Sequence, residues 1–231
     1  MSQIITIEGN IGSGKSTLLQ HLKEKYTATT QTTSNIIFLR EPVDEWENIK
    51  DENGTTILQK FYADQKAYSF SFQMMAYVSR LKLLRDTLKN IKTNCKNKNI
   101  IVISERNLYT DKMVFAKMLY DSKKIEEVNY KIYLNWFDTF SDEFPVNKVI
   151  YVKTSPENCY ERILKRSRSG EDNIPLDYLN ICSLYHDNML DIKSEECICN
   201  DQLILDGNND IYKNKNQLEE WIDTIDKYIK K

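Results

Sequence analysis

Nine residues near the amino terminus, GNIGSGKST at positions 9–17, restrict the possible folds of this chain more than any other segment. An isoleucine-rich run precedes them and leucines at helical spacing follow, so a strand leads into the loop and a helix leads out. In this pattern, G-x-x-x-x-G-K-[ST], backbone N–H groups and the helix N-terminus surround a polyphosphate, the lysine reaches the β- and γ-phosphates, and the hydroxyl after it holds Mg²⁺. The predicted phosphate contacts are Gly9, Asn10, Ile11, Gly12, Ser13, Gly14, Lys15, Ser16 and Thr17, with Ser16 as the metal ligand.

Five short runs rich in isoleucine and valine indicate strands, at residues 3–8, 36–40, 100–104, 148–153 and 202–206. They are nearly continuous, which is typical of parallel strands buried on both faces. Helical patterns lie between them, over residues 57–91, 125–140, 156–166 and 175–192. With the phosphate loop, this alternation predicts an α/β fold of the P-loop NTPase type: a five-stranded parallel sheet in the order 2-3-1-4-5, covered by helices on both faces. The length of 231 residues favours a single domain over residues 1–231.

Charge and composition argue against several classes of function. The 32 basic and 34 acidic side chains nearly balance, which disfavours nucleic-acid binding, and no apolar run approaches the roughly 20 residues of a membrane span. The first strand begins at residue 3, which leaves no room for a targeting segment, and five cysteines without framework spacing indicate reduced thiols. We therefore expect a cytoplasmic protein without a nucleic-acid or membrane partner. His21 and His186 are isolated in the sequence, so zinc chemistry and a histidine nucleophile are not expected.

Acidic residues stand where the second and third predicted strands end. The carboxyl ends of parallel strands meet at the edge of the sheet that also carries the phosphate loop. Glu41, after the second strand, could take the proton from an acceptor hydroxyl, or it could be a surface acid. Glu105, after the third, is placed as the carboxylate with which P-loop enzymes hold Mg²⁺, and Arg106 could stabilise charge on the transferred phosphoryl group. The alternative for these two neighbours is a local ion pair.

A third cluster of charge lies late in the chain. Arg162 and Arg166 are four residues apart and share one face of a predicted helix, and Arg168 lies just past its end. Several guanidinium groups on one segment could clamp phosphate oxygens. The alternative is a basic helix C-terminus that complements the helix dipole.

Six segments together resemble the deoxyribonucleoside kinase family, whose members include kinases of deoxycytidine, deoxyguanosine and thymidine. They are GNIGSGKST, EPVDEW, YSFSFQMMAYVSR, ERNLYTDKMVFA, RILKRSRSGEDNIPLDYL and LILDGNND, and they run through nearly the whole chain. Their joint order and spacing are more specific than any segment alone. The resemblance implies transfer of the γ-phosphate of ATP, or of another nucleoside triphosphate, to the 5′-hydroxyl of a deoxyribonucleoside, with Mg²⁺ as cofactor.

Matching residues to the motifs of that family implies a role for each. Glu41 would be the general base for the 5′-hydroxyl, Arg106 would assist at that oxygen, and Glu105 would help hold Mg²⁺. Catalysis would also need Lys15 on the donor phosphates, under a lid at about residues 162–174 that contains Arg162, Arg166 and Arg168. The remaining implied contacts are Tyr62 and Glu171 to the 3′-hydroxyl, Gln73 to the base edge, Phe72 and Phe115 to the base faces, Trp46 to the pocket wall and Asp210 to the donor base.

The resemblance also bears on the preferred base. Arg80 and Asp111 match an Arg–Asp pair of the deoxycytidine and deoxyguanosine kinases, whereas the thymidine-preferring members are apolar at these positions. An ionised aspartate only accepts hydrogen bonds, so it suits an exocyclic amine and opposes the O4 atom of thymine. We therefore expect deoxycytidine or purine deoxynucleosides to be preferred over thymidine.

Two alternatives and one assembly prediction accompany this interpretation. A thymidylate-like nucleoside monophosphate kinase would share the phosphate loop and the sheet, and an inactive kinase-like scaffold would share the fold without the chemistry. The segments 57–91 and 125–140 carry more apolar and aromatic residues than one sheet face needs. In the family, the equivalent helices form a dimer through a four-helix bundle, so a homodimer is expected here; the alternative is that these helices only cover the sheet.

Overall fold

The computed structural model describes residues 2–28, 35–94, 99–166, 168, 170–171, 174–209, 211 and 214–231. Within them, one parallel sheet is formed by β1 (Gln3–Glu8), β2 (Ile36–Leu39), β3 (Ile101–Glu105), β4 (Lys148–Lys153) and β5 (Gln202–Asp206). The strand order is β2-β3-β1-β4-β5, and Ile7 of β1 lies between Glu105 and Ile150. The predicted five-stranded sheet and its order are therefore confirmed.

Helices occupy most of the remaining described chain. In order, they are α1 (Lys15–Ala28), α2 (Val43–Glu47), α3 (Ile57–Ala63), α4 (Gln65–Asn94), α5 (Lys117–Asp121), α6 (Glu127–Phe140), α7 (Pro156–Arg166), α8 (Leu176–Met189) and α9 (Lys215–Ile229). A π-helical turn, Thr110–Ala116, precedes α5. None of the helices in the described ranges combines the length and the apolar character that crossing a membrane requires.

Both faces of the sheet are covered, as predicted, because side chains alternate along each strand. In β1, Ile5 and Ile7 pack into a core formed with α1 and α9, through residues such as Leu18 and Ile225. Ile4 points to the opposite face and joins a larger core that includes residues of α4, α6 and α8. The sheet therefore separates two apolar layers, and its carboxyl edge stays available for polar side chains.

The structure divides the segment 57–91, which the sequence pattern predicts as one helical stretch. α3 starts at a capping box in which Thr56 Oγ1 accepts from the Gln59 N–H and Gln59 Oε1 accepts from the Thr56 N–H. It ends at Asp64, whose backbone (φ −144°, ψ 86°) is not helical. The Asp64 carboxylate accepts from the Ala67 N–H, so it caps the start of α4. One residue thus separates two helices that the apolar pattern runs together.

Burial on both faces, expected for every strand, is wrong for β5. This strand lies at the edge of the sheet, where Leu205 packs into the core with α9. The adjacent Ile204 points to the other face and is 60% exposed. A nearly continuous apolar run therefore does not distinguish a central strand from an edge strand, because that difference depends on the order in which strands assemble.

Candidate active site

The phosphate loop follows β1. At two of its glycines, both the backbone conformation and the neighbouring atoms exclude a side chain. Gly9 and Gly12 have φ values of +146° and +78°. A Cβ atom on either would lie 2.6 Å from a carbonyl oxygen, that of Val152 for Gly9 and that of Cys159 for Gly12. The loop therefore packs directly against β4 and α7. Its conformation is set by these neighbours as well as by the loop's own sequence.

Lys15 lies buried at the start of α1 and points back into the loop. Its Nζ donates to the Asn10 carbonyl oxygen (2.7 Å). Burial, together with the positive charge of Arg106, lowers the pKa of Lys15 to about 8, although the Glu105 and Glu41 carboxylates oppose this shift. A lysine with this pKa binds a polyphosphate well at neutral pH and loses its charge on the alkaline side.

Glu41 follows β2 and takes part in a buried network of opposite charges. Arg80, from the middle of α4, donates through Nη2 to Glu41 Oε1 (2.8 Å), through Nε to Asp111 Oδ2 (2.8 Å) and through Nη1 to the Glu105 carbonyl oxygen (2.9 Å). Burial opposes ionisation of Glu41, but Arg106, Arg80 and Lys15 outweigh it, so the pKa of Glu41 lies below its ordinary value. The carboxylate is therefore ionised near neutral pH, as a general base must be.

Arg106 directly follows β3 and has a left-handed backbone conformation, with φ +65°. Successive strand residues point to opposite faces, yet Glu105 and Arg106 both line the same cavity, because the left-handed residue turns the chain. The Arg106 N–H donates to the Ile7 carbonyl oxygen (3.1 Å), and buried Glu8 accepts from Asn107 Nδ2 (2.8 Å) and from Thr110 Oγ1 (2.7 Å). These bonds hold an unfavourable turn in place. Glu8 was not singled out from the sequence.

Glu105 and Ser16 meet at the floor of the site. Ser16 Oγ donates to Glu105 Oε1 (2.5 Å), whereas Glu105 Oε2 is buried and has no hydrogen-bond partner in the described part of the chain. A buried carboxyl oxygen without a hydrogen-bond partner is costly in a protein interior and fits a cation. A Mg²⁺ ion prefers one or two carboxylates with hydroxyl, water and phosphate oxygens. This pair has the donor set that such a site needs.

One cavity of about 1190 Å³ extends from the phosphate loop to an aromatic wall. In that wall, Phe72 stacks on Phe61 (centroids 4.6 Å apart, planes at 15°) and packs edge-on against Trp46. Gln73 is buried beside them and lines the same cavity. A flat apolar slot with one amide side chain, which offers a donor and an acceptor, suits a planar ring with polar edges. Of these residues, Phe61 was not predicted.

The basic residues near the end of α7 separate into two groups. Arg162 donates through Nη2 to the Gly207 carbonyl oxygen (2.8 Å) and through Nη1 to the Ser13 carbonyl oxygen (3.3 Å). Arg166 and Arg168 both donate to the carboxylate of Glu171, which is buried. All four side chains line the cavity. The simple helix-dipole interpretation does not account for these contacts.

The structure thus places nearly all the predicted site residues around one cavity. Those lining it directly are Ile11, Gly12, Ser13, Gly14, Lys15, Ser16, Thr17, Glu41, Trp46, Tyr62, Phe72, Gln73, Glu105, Arg106, Asp111, Phe115, Arg162, Arg166, Arg168 and Glu171. Gly9, Asn10 and Arg80 lie behind this surface and support it. Asp210 lies outside the described residues. Their individual roles remain predictions.

The fold and the site together define a P-loop enzyme in which a held carboxylate shares a cavity with the phosphate loop. The sequence profile of the family described as deoxynucleoside kinase matches residues 5–230. The chain therefore belongs to the deoxynucleoside kinase family and is a deoxynucleoside kinase, as the resemblance predicted. The residues that an inactive scaffold would be free to lose, Lys15, Ser16, Glu41, Glu105 and Arg106, are all present around the cavity.

Curated relatives agree with the family assignment. A probable deoxycytidine kinase of fowlpox virus is 32% identical over 228 residues, which cover 97% of this chain and 87% of that protein. The deoxycytidine kinase of Homo sapiens is 33% identical over 195 residues, or 80% of this chain and 74% of the human protein. A mitochondrial deoxyguanosine kinase of Xenopus laevis is 30% identical over 206 residues, which cover 83% of this chain and 74% of that protein.

Proposed function

We propose that this enzyme transfers the γ-phosphate of ATP, or of another nucleoside triphosphate, to the 5′-hydroxyl of a deoxyribonucleoside, and that it prefers deoxycytidine or purine deoxynucleosides to thymidine. The observation that carries the proposal is the ionised Glu41 carboxylate, held by Arg80 and Arg106 in the cavity that Lys15 also lines. Glu41 takes the hydroxyl proton as the new P–O bond forms and the bond to the leaving nucleoside diphosphate breaks. Arg106 and Lys15 stabilise negative charge on the transferred group.

The base preference rests on Asp111. Both of its oxygens contact Arg80, at 2.8 Å and 3.2 Å, and the side chain lines the cavity. Burial raises the pKa of Asp111, and the bidentate contact with Arg80 limits the rise. Because Arg80 donates to both oxygens, the Asp111 carboxyl group presents acceptors, which can accept from the 4-amino group of cytosine but repel the O4 atom of thymine.

A substrate panel tests the proposal. With labelled ATP, we expect product from deoxycytidine, deoxyadenosine or deoxyguanosine, and a lower kcat/KM for thymidine. The panel should include dCMP and dTMP, because Arg40 also lines the cavity and could face the phosphate of a nucleotide acceptor. Faster phosphorylation of either monophosphate would instead identify a nucleoside monophosphate kinase, and a clear thymidine preference would refute the base assignment.

Mg²⁺ is proposed to bind between Ser16 and Glu105, because Glu105 Oε2 lacks any other partner in the described ranges. Bound there, the ion would neutralise charge on the donor phosphates. We expect Glu105→Gln to raise the Mg²⁺ concentration needed for half-maximal rate by about 10–100-fold. Glu157→Gln, an exposed change on α7, is the matched control and should leave the requirement unchanged. An unaltered Mg²⁺ requirement in Glu105→Gln would exclude this site.

The lowered pKa of Lys15 predicts a pH effect on the donor. The folded-state pKa of about 8 means that the charge is present at neutral pH and is lost as the pH rises past 8. We therefore expect the KM for ATP to rise about tenfold between pH 7 and pH 9. Lys15→Arg keeps its charge throughout this range, so its KM, though higher, should stay flat. A flat KM in the unmodified enzyme would contradict the prediction.

A homodimer through α4 and α6 is proposed from an exposed apolar stripe. On α6, Val128, Ile132 and Trp136 follow at four-residue spacing and are 59%, 43% and 49% exposed, and Val78 of the adjacent α4 is 47% exposed. Light scattering should give twice the chain mass. Trp136→Glu should give the mass of one chain, whereas Leu184→Glu, at an exposed position on α8, should not. A monomeric unmodified protein would count against the dimer.

The lid at about residues 162–174 and the single domain also remain proposals. The contacts of Arg166 and Arg168 with Glu171 support the lid. They bring together, on one short segment, two residues predicted to bind the donor phosphates and one predicted to bind the 3′-hydroxyl of the nucleoside. We propose that donor phosphates draw the two guanidinium groups away, which frees Glu171 for the 3′-hydroxyl beside Tyr62.

A further inference from the structure

His186 lies fully buried on α8, next to Arg106. Its Nδ1 is 2.7 Å from the carbonyl oxygen of Cys182, and its Nε2 is 3.0 Å from Arg106 Nη1. No sequence motif connects these two residues, which are 80 positions apart. This contact is therefore a product of the tertiary structure alone.

The two contacts determine which ring nitrogen carries the proton. A carbonyl oxygen can only accept, so the proton is on Nδ1, and the Nε2 lone pair then accepts from the Arg106 N–H. An imidazolium would instead point an N–H at the guanidinium. Burial and the charge of Arg106 hold the pKa of His186 well below its ordinary value, in agreement with this tautomer.

Arg106 is held on several sides. Its Nε is 3.4 Å from Glu41 Oε1, and its guanidinium lies over the Phe115 ring at 4.8 Å. His186 packs edge-on against the same ring, with centroids 6.1 Å apart. Arg106 itself lines the cavity. These contacts therefore restrain its guanidinium group at the cavity surface.

α8 also supports the phosphate loop. Asn10 Nδ2 donates to the carbonyl oxygen of Leu179 (2.8 Å), and Leu179 and His186 are seven residues apart, on one face of the helix. A single rigid helix thus fixes both the loop for the donor and the arginine beside the general base.

We propose that His186 is a positioning residue for the phosphoryl transfer, whose neutral Nε2 fixes the orientation of the Arg106 guanidinium. This inference rests on the proposed function, in which Arg106 assists at the 5′-oxygen. The contribution is geometric, because a displacement of about 1 Å at a reacting group can cost about 100-fold in rate.

Two substitutions at His186 separate positioning from packing. In His186→Asn the amide can replace Nδ1 but does not reach Arg106, whereas in His186→Gln the amide oxygen can take the place of Nε2. We expect His186→Asn to lower kcat by about 10–100-fold with less than a threefold change in the KM for the deoxynucleoside, and His186→Gln to recover most of the loss. Asn188→Ala, an exposed change on the same helix, is the control and should behave as the unmodified enzyme.

A double-mutant cycle with Arg106→Ala tests whether His186 acts through the arginine. In the Arg106→Ala background, His186→Asn should cause no further fall in kcat. Equal losses in both backgrounds would overturn the inference and indicate a packing role. If Arg106→Ala lowers kcat but His186→Asn does not, only the inference fails; if Arg106→Ala leaves kcat unchanged, the proposed role of Arg106 fails with it.

Nitrogen NMR of the folded enzyme gives a test that does not depend on the stability of the His186 variants. In the His21→Gln variant one histidine remains, and its ¹⁵N shifts at neutral pH should show Nδ1 protonated and Nε2 unprotonated. An Nε2–H tautomer or an imidazolium would overturn the inference.

Discussion

Glu41→Gln is expected to lower kcat for every deoxynucleoside by about 10²–10⁴-fold, the range typical of losing a general base. Glutamine has nearly the same shape as glutamate but cannot take the hydroxyl proton. Its neutral side chain also cannot form the ion pairs that Glu41 makes with Arg80 and Arg106. The KM for ATP should change little, because the phosphate loop is not altered. Steady-state kinetics with deoxycytidine and ATP measures both quantities.

The control for this substitution is Asp44→Asn, an exposed acid on α2 three residues further on. It should leave kcat within about twofold of the unmodified enzyme, as surface substitutions usually do. Arg80 retains Asp111 and Arg106 retains His186 when Glu41 is replaced, so the site should keep its fold. A Glu41→Gln enzyme with full kcat would remove Glu41 from the chemistry and leave it as a structural partner of the two arginines.

The double change Arg80→Met with Asp111→Ala is expected to raise the ratio of kcat/KM for thymidine to that for deoxycytidine by about 100-fold or more. It removes the acceptor that opposes thymine O4, and the smaller side chain makes room for the methyl group of thymine. Arg80 also donates to Glu41 and to the Glu105 carbonyl oxygen. Because the double variant loses these two contacts, its kcat should be lower with every substrate.

Comparing two substrates in one variant makes this test internally controlled. Any general loss of activity or stability affects both nucleosides equally and cancels in the ratio. Asp138→Asn removes an exposed acid that contacts Lys112, and it should leave the ratio unchanged. If the ratio in the double variant stays at its original value, another part of the pocket selects the base.

Much of the fold could be predicted because local patterns and the phosphate loop point to the same architecture. The five apolar runs correspond to the five strands, with the predicted bounds of β2 and β3 differing by one residue from the observed ones. The sequence Ser155-Pro156, which is typical of a helix start, does begin α7. The helix break at Asp64 was missed, although a capping aspartate in an apolar pattern is a usable signal. The exposure of Ile204 had no such signal, since it follows from the position of β5 at the sheet edge.

For the candidate site, too, local motifs could be predicted from the sequence and long-range contacts could not. The glycine-rich motif and the acids at strand ends are short-range features, and they identified the phosphate loop, Glu41 and Glu105. The partners of these residues were not visible in sequence. Glu8, Phe61 and His186 are ordinary residue types without a motif, and they matter because folding places them against Asn107, Phe72 and Arg106.

The sequence by itself determined the class of fold, the phosphate-binding loop and the family, because each depends on residue types at fixed spacing along the chain. Tertiary structure alone decided how the charges are shared: Arg80, which the resemblance pairs with Asp111, also binds Glu41, and His186 accepts from Arg106. These contacts join residues 31 to 80 positions apart. Ionisation and orientation depend on burial and on distances of a few ångströms, and those exist only once the sheet and its helices have assembled.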